Sequence, residues 1–190
     1  HKTGSILVKN KHADIKKVED FQGKSILVPY QRSVHNMLFH RLMKEHGLKA
    51  GPGGAEGVDV VVEVVPPGMM NDFLMYDEDG EIGGFIVAEP IGSKAVAGGY
   101  AEEMFLSKDL WPDHPCCVLM MRDEIIRKYP DAVQEFTNSL VHSGSFIEEN
   151  PDQAALIGSQ FLGQDEALIK SVLTEPVDRI KTGELMPVLE

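Results

Sequence analysis

The residues best placed to do chemistry lie in the run Pro29-Tyr30-Gln31-Arg32-Ser33-Val34-His35, where an apolar stretch gives way to a helical one. A helix start presents backbone N–H groups that carry partial positive charge, so it holds anions and other acceptors. Gln31, Arg32, Ser33 and His35 add four side-chain donors at the same place. Ser33 alone reads as a helix N-cap, the commoner role for a serine there. The four together read as a cradle for a small polar or anionic ligand. Glu89, followed by Pro90, stands after a second short apolar run. Its carboxylate can accept from a ligand NH or OH, pair with Arg32, or favour the dipole of the helix it precedes. Trp111, the single tryptophan, sits in the loop-like Trp-Pro-Asp-His-Pro. It either walls a small-ligand site or anchors the loop by packing.

Cys116 and Cys117 are adjacent. Neighbouring cysteines bridge each other only with strain, so a disulfide framework is not expected. They read first as apolar strand residues. A metal or redox role needs further Cys or His, and along the sequence only His114 stands near. The sequence holds no Gly-rich phosphate loop, no His-Glu-x-x-His, no paired Cys-x-x-Cys and no Gly-x-Ser-x-Gly elbow. No catalytic residue, metal or cofactor is therefore assigned. A formal net charge of −12 repels phosphate backbones and argues against a nucleic-acid partner. It does not forbid a locally positive pocket for an anion.

The elements that must position these residues follow from pattern. Short β-type runs are expected at 5–9, 24–28, 58–65, 84–87 and 116–121, with the run at 58–65 buried on both faces as in a parallel sheet. Helices are expected from Ser33 to Gly47, over 69–75, from Pro90 to about 97, and over 123–128, 131–149, 152–161 and 165–173. Gly51–Gly57, with four glycines and a proline, reads as a loop. Alternating strands and helices make the first hundred residues an α/β unit whose strand tips share one edge, the edge where open α/β sheets bind ligands. The remainder is one strand and a helical tail. With 190 residues there is room for one large or two small domains. No apolar run reaches the roughly 18 residues of a membrane span.

Four runs carry a resemblance. GKSILVPYQRSVHNMLFHRLMKEHGL, VVEVVPPGMMNDFL, GFIVAEPIGSKAVAGG and LWPDHP occur in this order. Together they resemble the second-lobe signature of the nitrate/sulfonate/bicarbonate (taurine) type of solute-binding proteins of bacterial ABC importers. The resemblance implies an α/β, periplasmic binding protein type II-like fold, with one complete α/β lobe and a helical C-terminal part of the other. It implies a crossover strand at 1–10, the second lobe at 11–105, and return to an incomplete first lobe over 106–190. It implies capture of a small anion or organic acid, with Gln31, Arg32, Ser33, His35, Glu89, Trp111 and Cys117 as ligand-binding residues. The implied partners are a small-molecule ligand and the permease and ATPase subunits. The implied place is the periplasm or a cell-surface lipoprotein, membrane-associated only through the permease or a lipid anchor, with any leader removed from a chain that opens His1-Lys2-Thr3.

The sequence departs from this family at two points. Cys117 stands where the nitrate-type proteins carry a Lys, two residues after the His-Pro of the loop, and Gly83 replaces an Asp before the Glu-Pro segment. The loss of a cationic ligand leaves a sulfonate, another organic acid or a neutral heterocycle open beside nitrate and bicarbonate. The alternative is an enzyme on the same scaffold, resembling thiamine-pyrimidine synthases or desulfinases, with Cys117 or His35 as its reactive group.

Overall fold

A computed structural model describes residues 1–183. They fall into two compact units, one formed by Gly4–Pro112 and the other by His1–Thr3 with the residues from Asp113 onward. In chain order the first elements are β1 (Lys2–Thr3), β2 (Ser5–Asn10), β3 (Ser25–Val28), α1 (Val34–Glu45), β4 (Ala50–Gly51) and β5 (Val60–Val64). Next come α2 (Pro67–Tyr76), β6 (Ile82–Ala88), α3 (Ile91–Ala97), β7 (Ala101–Leu106) and α4 (Ser107–Leu110). The helices α5 (Asp123–Lys128), α6 (Pro130–Glu149), α7 (Pro151–Leu162) and α8 (Glu166–Thr174) follow, and β8 (Ile180–Lys181) closes the series.

In the larger unit six strands form one sheet in the order β4-β5-β3-β6-β2-β7. β3 runs parallel to β5 and β6, and β4 parallel to β5. β2 runs antiparallel to both β6 and β7, so the sheet is mixed. Successive strand side chains point to opposite faces. Ile26, Val28, Leu7 and Ile86 thus enter a core with Leu38, Phe39, Leu42 and Met43 of α1. Leu27, Ile6, Val8, Phe85 and Val87 enter a second core with Met70 and Leu74 of α2 and Ala95 of α3. Phe21 and Phe39 meet edge to face in the first core, with ring centroids 5.7 Å apart. A Cβ at Gly92 would overlap the Ile6 side chain, so glycine is what lets α3 lie against β2.

Three expectations need correction. The run at 58–65 is not buried on both faces: β5 has only the two-residue β4 beyond it, and Glu63 and Val64 are exposed. β7 and α4 were not expected. A bulge between Leu7 and Val8 pairs Leu7 with Phe105 but Val8 with Glu103, leaving Met104 as an extra residue that breaks the alternation of β7. No strand forms at 116–121. The amides of Cys116 and Cys117 both turn to the His1 carbonyl, so no ladder continues, and Val118, Leu119 and Met120 are exposed.

In the smaller unit β1 pairs antiparallel with β8. Ala154 and Ala155 of α7 and Ile169 and Val172 of α8 are buried. Asp165 caps α8 by accepting from the Leu168 amide at 3.0 Å. α6 is twenty residues long and buries only Gly144.

Candidate functional site

Five of the residues expected to bind ligand lie at or just beyond the C-terminal tips of the parallel strands β3 and β6. After β3, Pro29 ends the ladder, and the Ser33 amide donates to the Tyr30 carbonyl at 3.1 Å to close a turn. Ser33 has extended dihedrals, and its hydroxyl accepts from the Asn36 amide at 3.2 Å, which is N-cap geometry. The Asn36 side-chain amide donates to the Gln31 carbonyl at 2.6 Å and ties the turn to α1. Gln31 and Arg32 are exposed and Ser33 is half-buried, so this turn presents its polar groups outward.

His35, one residue into α1, points the other way and is 8% exposed. Its Nε2 lies 2.9 Å from the Ser5 hydroxyl. Ser5 arrives there because β2 runs antiparallel to β6: its first residue faces Ala88, the last residue of β6. The Ser5 amide donates to the Ser107 hydroxyl at 3.1 Å, from the first residue of α4. Ser5, His35 and Ser107 are all buried, and buried polar groups are retained where they are hydrogen-bonded.

At the tip of β6 the Glu89 amide donates to the Gly4 carbonyl at 2.9 Å. The Glu89 carboxylate accepts from the Ser93 amide at 3.1 Å and from the Ser93 hydroxyl at 2.8 Å. It thereby satisfies an amide in the first turn of α3, which otherwise lacks an intrahelical partner. The Glu89–Pro90 peptide bond is cis.

The strand tips thus bring Gln31, Arg32, Ser33, His35 and Glu89 to one edge of the sheet. Trp111 follows α4 in the same unit, is 36% exposed, and donates its amide to the Ser107 carbonyl at 2.9 Å. Cys117 belongs to the smaller unit and is exposed. Sequence reasoning missed Ser5, Ser93 and Ser107. A buried serine has no local signature, and only the antiparallel register of β2 brings Ser5 within reach of α1.

Two shallow depressions of about 420 Å³ each lie outside this cluster. One, beside Lys9 at the other end of β2 from Ser5, also gathers Lys16, Lys17, Glu19, His46 and Glu103. Its charges are already paired in part: Lys9 donates to the Ile15 carbonyl at 2.7 Å and meets Glu102 at 3.0 Å. Hydrogen bonding to His46 holds the Glu19 carboxyl below its ordinary value. The other depression is lined by Asp72, Phe73, Tyr76, Asp77 and Ile82.

A model of the NMT1-like family matches residues 4–159. The chain is similar to the nitrate import ATP-binding protein NrtC of Synechocystis sp., with 28% identity over 141 residues, 72% of this chain and 20% of that protein. It is 29% identical over 122 residues to the nitrate/nitrite binding protein NrtA of Nostoc sp., covering 63% of this chain and 27% of that one. The crystal structure of the periplasmic nitrate-binding protein NrtA from Synechocystis superposes with a TM-score of 0.77 at 19% identity, covering 90% of this chain and 46% of that one. That likeness establishes the α/β, periplasmic binding protein type II-like fold. The chain spans a fifth to just over a quarter of the curated relatives it matches, and about half of the solved structure.

Proposed function

The chain belongs to the NMT1-like family, and from that premise we propose that it is the solute-binding part of an ABC import system. Its cargo is a small anion or organic acid of the nitrate, sulfonate or bicarbonate kind, captured outside the cytoplasm and passed to a permease driven by an ATPase. The observation that carries this reading is the turn 31–33 at the tip of β3. There the amide end of the twelve-residue α1 stands beside the exposed Gln31 and Arg32. An open end of aligned amides with an added guanidinium suits a small oxyanion.

His35 supports that turn from beneath. With Nε2 engaged by Ser5, it orients the start of α1; the direct contacts fall to the turn amides, Gln31 and Arg32. Glu89 holds α3 in place at the neighbouring tip and gives an acceptor for a solute that carries a proton. In this reading the solute lies in a cleft that Trp111 helps to wall, and the opposite wall comes from sequence of the kind the longer relatives carry. Cleft closure on the solute is a population shift driven by contacts made only in the shut state. No chemical step is part of it.

The test is calorimetric titration of nitrate, bicarbonate and short alkanesulfonates, with Arg32→Ala and Gln31→Ala beside the parent. Loss of an exposed charge-assisted contact should weaken binding about tenfold or more without moving the unfolding midpoint. Equal affinity in the parent and Arg32→Ala would refute the placement of the site.

A further inference from the structure

We propose that His1, Cys116 and Cys117 form a site for a thiophilic divalent metal ion of the zinc class. It rests on the smaller unit alone and is independent of what the strand-tip cluster binds. One ligand atom from each residue, an imidazole nitrogen and two sulfurs, lies within 4.8 Å of the others. Two thiolates on one tetrahedral ion sit about 3.7 Å apart when the metal–sulfur distance is about 2.3 Å. With all three ligand atoms within 4.8 Å of one another, the set stands close to the spacing that one ion requires.

The backbone fixes the approach. The Cys116 amide donates to the His1 carbonyl at 3.1 Å, the Cys117 amide reaches the same oxygen at 3.5 Å, and the Thr3 amide donates to the His114 carbonyl at 3.0 Å. Lys2 bridges Pro115 antiparallel, and on its other side Lys2 pairs with Lys181 of β8. Residues 1–3 are therefore held between two segments, and His1 is laid across the cysteine pair by pairing far from it in sequence.

The donor set selects the ion. Two sulfurs and an imidazole suit zinc and similar soft ions, and are poor ligands for magnesium or calcium. Neither cysteine is in a disulfide. His1 and Cys116 are half-buried while Cys117 is exposed, which leaves an entry path and a fourth position open to water or another ligand. Three protein ligands with one open position is the arrangement of reactive rather than purely structural zinc sites.

The test is titration of the phosphine-reduced chain with Co²⁺, then displacement by Zn²⁺. One equivalent is expected to give tetrahedral visible bands and a thiolate charge-transfer band, both abolished by Zn²⁺. His1→Gln, Cys116→Ser and Cys117→Ser should each weaken binding on the order of tenfold or more. Because Cys117 is exposed, Cys117→Ser should keep the parent's circular dichroism, so its effect is read on a folded chain. Absence of the thiolate band, or Co²⁺ affinity unchanged in Cys117→Ser or in His1→Gln, would overturn the site. Co²⁺ held only by surface acids and histidines gives that same negative result.

Discussion

Ser5 and His35 stand thirty residues apart in sequence and share one hydrogen bond beneath the turn that opens α1. Both are buried, so replacing the hydroxyl with hydrogen removes the hydrogen-bond partner of a buried ring nitrogen. Ser5→Ala is expected to cost about 1–3 kcal/mol. The cost should appear as a lower urea midpoint with an unchanged slope; an unchanged midpoint would show the contact to be incidental. Much of the residue-level site was legible from residue type. Ser33 as a cap, His35 on the first turn and Glu89 at the next tip each follow a local rule. Of the alternatives open to Glu89, the structure shows an acid serving the start of the helix it precedes, with Ser93 as its partner. The task of His35 was not legible, because the sequence shows a histidine at a helix start but not which way it faces. His1 escaped for the same reason: its neighbours are 115 and 116 residues away, joined through a pairing that no periodicity marks.

At the scale of elements, strands and helices with regular patterns were legible and irregular ones were not. α1 carries apolar residues at the helical period, and β3 and β6 are short continuous apolar runs buried on both faces. β7 does not, because Met104 sits in a bulge and shifts the phase of the alternation midway. The segment at 116–121 shows the converse, with β-forming residues that have no ladder to join. Two predictions belong here. Gly92→Ala places a methyl group against Ile6 where α3 crosses β2. Overpacking of this kind costs about 1–3 kcal/mol, read by denaturation, and the same substitution should cost less in an Ile6→Ala background, which lacks the γ-carbon that the new methyl group meets. The second concerns β8. Lys181 meets Asp113 at 2.7 Å, and that hydrogen bond, then the lysine's charge, holds the Asp113 carboxyl below its usual range. A carboxyl depressed in the folded state contributes stability above its unfolded value of about 3.9 and loses it as pH falls through the folded value. Carbon-detected NMR should find Asp113 titrating below 3.9, and Lys181→Met should bring it back.

Across the whole molecule the two units differ in what they bury. In the larger unit, Ile26, Leu27 and Val28 of β3 and Phe85 and Ile86 of β6 are fully buried beneath helices. In the smaller unit α6 buries one glycine, while Phe136, Leu140 and Val141 on it, and Phe161 on α7, remain exposed, the last at 87%. Helix stability in proteins comes mostly from packing of the apolar face, since isolated helices are marginal in water. Amide exchange should therefore be slowest in β3 and β6, opening only with the larger unit. It should be faster in α6, whose hydrogen bonds can open locally. Lower protection in β3 than in α6 would contradict the burial. The same measurement bears on the proposed role, because the solved relative is about twice as long as this chain. If sequence of that kind covers the apolar stripe of α6, a longer form carrying it should slow exchange in α6 selectively. Its protection should rise toward that of β3 while β3 itself changes little. Equal exchange in both forms would mean that the stripe stays in water.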